Sequence, residues 1–364
     1  MARDVMVVMG ARPNFVKVAP LVHALNALDG VTVSLLHTGQ HYDRSLSGAF
    51  IEQLDLPAPA HHLGVGSGTH AEQTAAVMVG VERVLTDEHP AVLVVPGDVN
   101  STMGAALAAA KLGVPVAHLE SGLRSGDWTM PEEINRVVTD RVADLLLCHC
   151  EDAVENLRAE GIAEERIALV GNTMIDSLFR LLPAARATRT VERLGLDQGG
   201  FVLVTLHRPA LVDDPEQLAV TAAVLGELAE RMPVAFPVHP RTRARLDAAG
   251  QSLPPNLLTL EPLEYLEFVA LEAAARLVIT DSGGVQEETS ALGIPCLTYR
   301  STTERPVTVT LGTNRLVGVD PNALRSACDE ELSSPVRPAP EPIPLWDGHA
   351  GPRAAAALNR FLGG

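Results

Sequence analysis

The sequence has few aromatic residues and very few lysines. Aromatic side chains make up 3% of the 364 residues, although hydrophobic residues as a whole make up 46%. A core with so few aromatics must be built from Ala, Val, Leu and Ile, as the buried parallel sheets of α/β proteins usually are. The only lysines are Lys17 and Lys111, so Arg carries nearly all of the positive charge. The formal net charge of -17 argues against a nucleic-acid or anionic-membrane partner, because either would require a basic face.

Cysteine is also scarce, and long apolar runs are absent. Cys148 and Cys150 flank His149, but no second ligand pair follows at the spacing of a zinc site. We therefore expect buried thiols and no metal. No run reaches the roughly 20 apolar residues of a membrane span, and the first residues do not resemble a signal peptide. These features predict a cytoplasmic protein with no membrane partner.

The length predicts two domains of roughly 150–200 residues each. Short apolar runs alternate with stretches of helical spacing, and this pattern restarts in the second half, which predicts two Rossmann-like parallel α/β domains. Strands are expected at 5–9, 31–37, 91–96, 115–118, 145–148, 201–205, 234–238, 257–260, 277–280 and 295–297. Helices are expected at 20–28, 71–85, 102–112, 216–231, 241–249, 263–275 and 284–292. We expect an N-terminal domain over 1–183, a C-terminal domain over 199–345, and a final helix within 350–364 that packs back on the first domain.

Polar residues follow nearly every predicted strand, where parallel α/β sheets bind their ligands. They lie at 10–17, 38–41, 97–102, 120–124, 207–208, 239–241 and 281–284. Each stretch alone could be a turn or a helix cap, but their number favours one ligand site in a cleft between the domains. Ser282, Gly283 and Gly284 open a helix whose free N–H groups suit a phosphate. The first turn is not G-x-G-x-x-G, so a dinucleotide cofactor is not indicated.

The predicted site mixes basic and acidic side chains. The basic residues, which could neutralise a diphosphate, are Arg12, Lys17, His41, Arg124, Arg136, His207, Arg208, His239 and Arg305. The acidic residues are Asp98, Glu120, Glu132 and Glu133. Carboxylates beside an anion suggest proton transfer rather than simple binding. Glu132 and Arg136 are four residues apart and share a helix face, so a surface ion pair is an alternative for that motif.

Several motifs in fixed order resemble those of the UDP-N-acetylglucosamine 2-epimerases, of the non-hydrolysing type. They include GARP at 10–13, TGQH at 38–41, HLESGLR at 118–124, PEEINR at 131–136, TDSGGVQEE at 280–288 and TTERP at 302–306. The resemblance extends over most of the chain. It implies the two-domain GT-B fold, a homodimer, a UDP-sugar substrate and no cofactor or metal.

The resemblance also implies roles for single residues. Asp98, Glu120, Glu132 and His207 match catalytic positions, while Lys17, Arg136 and Arg305 match substrate contacts. Ser282, Gly283 and Gly284 would bind the diphosphate together with Arg12. Glu288 would accept hydrogen bonds from the ribose hydroxyls, and Phe268 would lie by the uracil. His41 and His239 are further expected substrate-binding residues. The implied reaction removes the C-2 proton and UDP, and then adds both back with C-2 inverted.

Some features depart from the resemblance or leave alternatives open. Tyr42, Asp43 and Arg44 replace residues that line an allosteric site in regulated members, so we expect no strong substrate activation. A hydrolysing epimerase that releases N-acetylmannosamine and UDP remains an alternative. So do a GT-B glycosyltransferase and a non-catalytic UDP-sugar sensor, although the carboxylates argue against a sensor.

Overall fold

The structure is a computed structural model that describes residues 3–10, 12–39, 51–334 and 341–363. Within these ranges, the side chains of Arg12 and Ala210 are not described. The chain divides into two compact units. Unit 1 comprises Met1–Ser177 and Pro344–Gly364, and unit 2 comprises Leu178–Ile343.

Unit 1 is built on a seven-stranded parallel sheet of order β3-β2-β1-β4-β5-β6-β7. Its strands are β1 (Arg3–Met9), β2 (Val31–His37), β3 (His61–His62), β4 (Val92–Pro96), β5 (Val116–Ser121), β6 (Leu145–Cys148) and β7 (Ile167–Leu169). Its helices include α1 (Arg12–Asn26), α2 (His70–Glu88), α3 (Asn100–Leu112), α4 (Pro131–Val142) and α5 (Glu151–Ala159). The next helix, α6 (Thr173–Ala187), begins in unit 1 and ends in unit 2. Every residue of β4 is buried, as expected for a central strand covered on both faces.

Unit 2 contains a six-stranded parallel sheet of order β10-β9-β8-β11-β12-β13. Its strands are β8 (Val202–Thr205), β9 (Val234–Pro237), β10 (Leu258–Leu260), β11 (Leu277–Thr280), β12 (Cys296–Thr298) and β13 (Asn314–Leu316). Its helices are α7 (Thr190–Arg193), α8 (Pro209–Val212), α9 (Pro215–Ala229), α10 (Pro240–Ala248), α11 (Tyr265–Glu272), α12 (Gly283–Leu292), α13 (Val307–Thr310) and α14 (Pro321–Ser333). Val202 and Val204 belong to one core cluster, and Phe201 and Leu203 belong to another. Both faces of this sheet are therefore covered.

The last helix, α15 (Ala350–Phe361), belongs to unit 1 and lies against α1. A Cβ on Gly351 would lie 2.5 Å from the carbonyl oxygen of Pro20, so only glycine allows this approach. The carboxylate of Asp176 accepts the backbone N–H groups of Ala350 and Gly351, at 3.1 and 2.7 Å, and thereby caps the start of α15.

The predicted fold class of two parallel α/β domains is confirmed by the two sheets. The start predicted for the first helix is wrong, because α1 begins at Arg12 and contains Pro20. A proline inside a helix cannot donate to the carbonyl four residues earlier. Here Ser177 donates its hydroxyl to that carbonyl, on Val16, at 2.6 Å. None of the helices in the described ranges has the length and hydropathy needed to cross a membrane.

Candidate functional site

The strand order of unit 1 reverses between β1 and β4, and polar residues meet where these strands end. Asn14 in α1 donates to the carbonyl of Pro96 at 3.4 Å and accepts the N–H of Gly10 at 3.1 Å. Gly97 follows β4 with φ +65°, and a Cβ there would lie 3.1 Å from Nζ of Lys17. The absence of a side chain at Gly97 therefore gives Lys17 access to the switch point.

Lys17 and Glu120 form a buried ion pair at this point. The predicted strand at 115–118 is too short, since β5 continues through Glu120 to Ser121. The register with β6 shifts between Leu119 and Ser121, and Glu120 has φ +71°. A left-handed non-glycine residue in a strand carries strain and is characteristic of bulges that redirect a side chain.

Asp98 is held by α4. Nε and Nη2 of Arg136 donate to Oδ2 of Asp98 at 3.0 and 2.9 Å, and the side-chain amide of Asn135 donates to the Asp98 carbonyl at 2.8 Å. The Arg136 side chain is 2% exposed, whereas that of Asp98 is 23% exposed. The alternative of a surface pair between Glu132 and Arg136 is therefore wrong, because Arg136 is buried and pairs with Asp98 and Glu133.

The two adjacent glutamates of α4 have different surroundings. Glu133 is buried and accepts the backbone N–H groups of Ser125 and Gly126, at 3.0 and 2.9 Å, besides pairing with Arg136. It anchors the loop before α4. Glu132 is half-buried, and no side chain in the described part of the chain forms a hydrogen bond or ion pair with it. Of the two, Glu132 is the carboxylate left available for a ligand.

A buried network below Asp98 connects β4, β5 and α4. Nε2 of His118 lies 2.7 Å from the carbonyl oxygen of Gly97, and its Nδ1 lies 2.6 Å from Oδ1 of Asp140. A carbonyl can only accept, so Nε2 donates to it. Asp140 also accepts from Arg124 at 2.8 Å, and Arg124 in turn pairs with Glu160 at 2.6 Å. Arg124 is a predicted anion contact. Burial acts to lower its pKa, but Glu160 and Asp140 raise the pKa above the usual value.

The strand order of unit 2 reverses between β8 and β11, and His207 follows β8 at that point. Nδ1 of His207 lies 2.9 Å from Oδ1 of buried Asp281. The backbone N–H groups of His207 and Arg208 both donate to Oδ2 of Asp281 at 2.7 Å. Burial acts to raise the pKa of Asp281, but the hydrogen bond and charge of His207 and these N–H groups leave it below the usual value.

Asp281 fixes the orientation of His207. A carboxylate against Nδ1 favours a proton on that nitrogen, which leaves Nε2 as the nitrogen available to a ligand. The ring of His239 lies 5.2 Å from that of His207, and its Nδ1 accepts the N–H of Arg241 at the start of α10. Burial, followed by the charge of His207, lowers the pKa of His239. Asp281 lies in the predicted polar stretch 281–284, but the sequence predicted no role for it. Its position directly before the Ser-Gly-Gly turn was the signal that could have indicated one.

The start of α12, which the sequence predicts to bind the diphosphate, has no side-chain cap. Ser282 is the N-cap residue, but its side chain does not cap the helix, so the first N–H groups of α12 point to its open end. A Cβ on Gly283 would lie 2.9 Å from Cζ of Arg305, so the glycine makes room for this guanidinium. Arg305 also pairs with Glu287 and Glu304, and Glu304 pairs with Arg300 as well.

The remaining predicted contacts of unit 2 lie on α11 and α12. Glu288 is buried and accepts the hydroxyl of Tyr265 at 2.6 Å. Phe268, on the same helix as Tyr265, packs partly buried against a core cluster of unit 2. Glu272, at the end of that helix, is a neighbour of Glu288 that the sequence did not reveal.

Two sets of candidate residues therefore exist, one in each unit. Unit 1 contains Lys17, Asp98, Glu120, Glu132 and Arg136, and unit 2 contains His207, His239, Phe268, Ser282, Gly283, Gly284, Glu288 and Arg305. The side chain of Arg12 and all of His41, Tyr42, Asp43 and Arg44 lie outside the described residues. The four cysteines are buried, and burial raises the pKa of Cys148 to about 12. Within the described ranges, no group of three or more His, Cys, Asp or Glu residues is placed to hold a metal.

The fold is that of an α/β protein with an uncapped helix start in unit 2 and clustered acidic and basic side chains in unit 1. A profile of the UDP-N-acetylglucosamine 2-epimerase family matches residues 23–359. The UDP-N-acetylglucosamine 2-epimerase of Methanocaldococcus jannaschii is 42% identical over 337 residues, which are 90% of this chain and 92% of that protein. The chain belongs to the UDP-N-acetylglucosamine 2-epimerase family.

Two further comparisons bear on fold and substrate. A crystal structure of the Methanocaldococcus jannaschii UDP-GlcNAc 2-epimerase in complex with UDP-GlcNAc and UDP has a TM-score of 0.89 at 38% identity, covering 98% of this chain and 99% of that one. The UDP-2,3-diacetamido-2,3-dideoxy-D-glucuronate 2-epimerase of Pseudomonas aeruginosa is 42% identical over 318 residues, covering 86% of this chain and 88% of that protein. The predicted family, the GT-B fold class and the assignment to epimerases are confirmed.

Proposed function

We propose that this chain interconverts UDP-N-acetylglucosamine and UDP-N-acetylmannosamine by elimination and re-addition of UDP. The observation that supports this proposal most directly is the set of three carboxylates in unit 1, each in a different environment. Asp98 pairs with Arg136, Glu120 pairs with Lys17, and Glu132 has no described partner. Inversion at C-2 requires one group that removes a proton and another that returns one to the opposite face. Carboxylates with different partners can hold different protonation states.

The C-2 hydrogen of the sugar is not acidic, so departure of UDP must contribute much of the driving force. In the elimination the C-2 proton goes to a base of the protein. The C-1–oxygen bond breaks, and its electron pair leaves with UDP. The start of α12 and Arg305 can stabilise the diphosphate, and His207, held by Asp281, can interact with its developing charge. UDP then adds back to C-1 of 2-acetamidoglucal, and a proton adds to C-2.

A second candidate substrate is UDP-2,3-diacetamido-2,3-dideoxy-D-glucuronate, because the Pseudomonas aeruginosa relative that carries this name is as similar as the Methanocaldococcus jannaschii enzyme. A uronate adds a carboxylate to the sugar. In the described part of the unit 1 site, carboxylates already outnumber cations, and both Lys17 and Arg136 are ion-paired. Like charges repel at short range, so this site favours the uncharged hexosamine.

Proton NMR in deuterated water tests the proposal. The enzyme is incubated with UDP-N-acetylglucosamine, and we expect UDP-N-acetylmannosamine with deuterium at C-2. Product without deuterium would contradict the elimination. Free N-acetylmannosamine with UDP would instead indicate the hydrolysing reaction, and turnover only with an added acceptor would indicate a glycosyltransferase. Parallel incubation with the diacetamido uronate compares kcat/KM for the two substrates.

The proposal includes a homodimer in the cytoplasm. An apolar groove of about 390 Å³ lies between α2, α3 and α4 of unit 1, lined among others by Ala75, Met78, Met103 and Ile134. Ile134 is 44% exposed, and such a patch suits a second copy of the chain. Sedimentation at micromolar concentration should show a dimer that Ala75→Arg converts to monomer. Ala76→Arg, at a neighbouring exposed position outside the groove, serves as the control.

A further inference from the structure

Glu272 is a buried carboxyl group that none of the catalytic steps uses. It is 0% exposed and is the last residue of α11, where the negative end of the helix dipole disfavours a carboxylate. In the described part of the chain, no donor reaches either of its oxygens. Its carboxyl instead contacts that of Glu288 on α12. Two carboxyl groups can hydrogen-bond to each other only if one of them carries a proton.

The surroundings of the pair favour one shared proton. Burial raises the pKa of Glu272 well above its usual range, and the charge of Glu288 raises it further. Burial also raises the pKa of Glu288 to about 7, against the hydrogen bonds from Tyr265 and Glu272, which lower it. The other titratable groups near the pair are Glu287, whose charge raises the pKa of Glu288, and Cys296, whose pKa burial raises to about 12. Near neutral pH the proton therefore resides on Glu272.

We propose that Glu272 is a positioning residue that donates a hydrogen bond to Glu288, so that the ribose hydroxyls of a uridine nucleotide meet one ionised carboxylate of fixed orientation. This inference rests on the proposed function, in which the substrate is a UDP-sugar, and on the ribose contact that the family resemblance implies for Glu288. A carboxylate has about four acceptor sites. Tyr265 and Glu272 occupy two of them from the protein side, and the 2′- and 3′-hydroxyls would occupy the other two.

This arrangement couples nucleotide binding to proton release. The ribose hydroxyls donate to Glu288, so they bind its ionised form. Because the pKa of Glu288 is about 7, binding must displace protons from part of the population near that pH. UDP affinity should therefore rise with pH through about 7 and then level off. The hydrogen bond from Glu272 favours the ionised form, so removing it should move this rise to higher pH.

Calorimetric titration of the full-length protein with UDP and with 2′-deoxy-UDP tests the proposal, using buffers of different ionisation enthalpy. We expect the wild type to release about half a proton per UDP at pH 7. It should prefer UDP over 2′-deoxy-UDP by about tenfold or more, the scale of a hydrogen bond to a charged group. Glu272→Gln retains a donor and should keep this preference. Glu272→Leu should reduce the preference several-fold and shift the pH curve upward.

Two controls separate the possible failures. The affinity for pyrophosphate reports whether the start of α12 still binds phosphate groups after each substitution. The melting temperature reports whether the fold is intact. If Glu288→Gln abolishes the ribose preference while Glu272→Leu changes neither the preference nor the pH curve, the role of Glu272 is overturned and the proposed function stands. A wild type that does not distinguish the two nucleotides overturns the ribose site and Glu272 together. At about pH 9 Glu288 is ionised, so a protonated-carboxyl C=O band in the infrared spectrum should be present in the wild type and missing in Glu272→Gln. Its absence from the wild type would also overturn the proposal.

Discussion

At the residue scale, the partners of each carboxylate separate catalytic candidates from structural ones. Glu133 is committed to the loop before α4, whereas its neighbour Glu132 has no described partner. Asp98 is oriented through one oxygen by Arg136 and remains partly exposed. The same helix therefore leaves one carboxylate without a described partner, holds a second in place through an arginine, and uses a third as an anchor.

Asp98→Asn and Glu132→Gln should each lower turnover by about 100-fold or more, because each keeps the shape and removes proton-transfer capacity. UDP affinity should change little, since most of the candidate diphosphate contacts lie in unit 2 and neither Asp98 nor Glu132 is one of them. Turnover and C-2 deuterium incorporation are measured for both variants. Glu165→Gln, an exposed glutamate of the same unit, is the matched control and should behave as wild type. Normal turnover in both variants would rule out the proposed chemistry.

Sequence reasoning found the candidate residues but not their partners. The spacing of Glu132 and Arg136 indicated a shared helix face, and Arg136 instead turns into the unit to contact Asp98, 38 positions away in sequence. Such pairings depend on which strand end a helix packs against, which local spacing does not specify. Asp281 and Glu272 were missed for the same reason, because their contacts with His207 and Glu288 form only in the folded unit.

At the element scale, two helix starts of unit 2 use their N-cap residues differently. Asp214 caps α9 by accepting the N–H groups of Glu216 and Gln217, at 3.0 and 3.1 Å. Ser282 makes no such bond at α12. Asp214→Ala should therefore lower the free energy of unfolding by about 1 kcal/mol and leave UDP affinity unchanged. Ser282→Ala should weaken UDP binding and cost much less stability.

Denaturant unfolding and UDP titration of the two variants provide reciprocal controls for each other. If Ser282→Ala lowers the free energy of unfolding as much as Asp214→Ala does and leaves UDP affinity unchanged, Ser282 is an ordinary cap. The side chain of Ser282 would then have no role in binding the diphosphate.

The His118 network connects three elements, and removing it should affect catalysis as well as stability. His118→Gln retains one donor nitrogen, which cannot replace the two separate ring nitrogens that contact Gly97 and Asp140. We expect a stability loss of about 1–3 kcal/mol, the cost of leaving a buried polar group unsatisfied. Turnover should fall because the Gly97–Asp98 turn loosens, while UDP affinity stays near normal. Loss of UDP affinity in parallel with turnover would point to general unfolding instead.

The elements themselves were largely predictable, and the errors have physical causes. Continuous buried runs such as β4 and β11 were found because both faces of a central parallel strand are covered. The edge strands β3, β7 and β13 were missed, since two or three residues each are too few to establish a strand pattern. The start of α1 was misplaced because Pro20 indicates a helix start, and nothing local reveals that Ser177 bonds the carbonyl of Val16.

At the scale of the whole molecule, the same strand order appears twice with different chemistry at each switch point. In unit 1 the reversal between β1 and β4 brings together Lys17, Asp98 and Glu120. In unit 2 the reversal between β8 and β11 brings together His207, Asp281 and Ser282. The acids proposed for proton transfer therefore belong to one unit, and most of the groups proposed for UDP belong to the other.

This division predicts that unit 2 alone binds UDP. Leu178–Ile343 is one continuous segment with a complete six-stranded sheet and its own core clusters, so it meets the usual requirements for an independent domain. The isolated segment 178–343 should bind UDP within about tenfold of the full chain, since it loses the diphosphate contact proposed for Arg12, and one such contact contributes about 1.5 kcal/mol. It should show no epimerisation, because Asp98, Glu120 and Glu132 are absent.

Titration of the segment with UDP measures its affinity. The Arg305→Met variant of the segment shows whether this binding depends on the candidate diphosphate contact. A segment that melts cooperatively but does not bind UDP would mean that unit 1 supplies essential nucleotide contacts, and the division of roles between the two units would have to be abandoned.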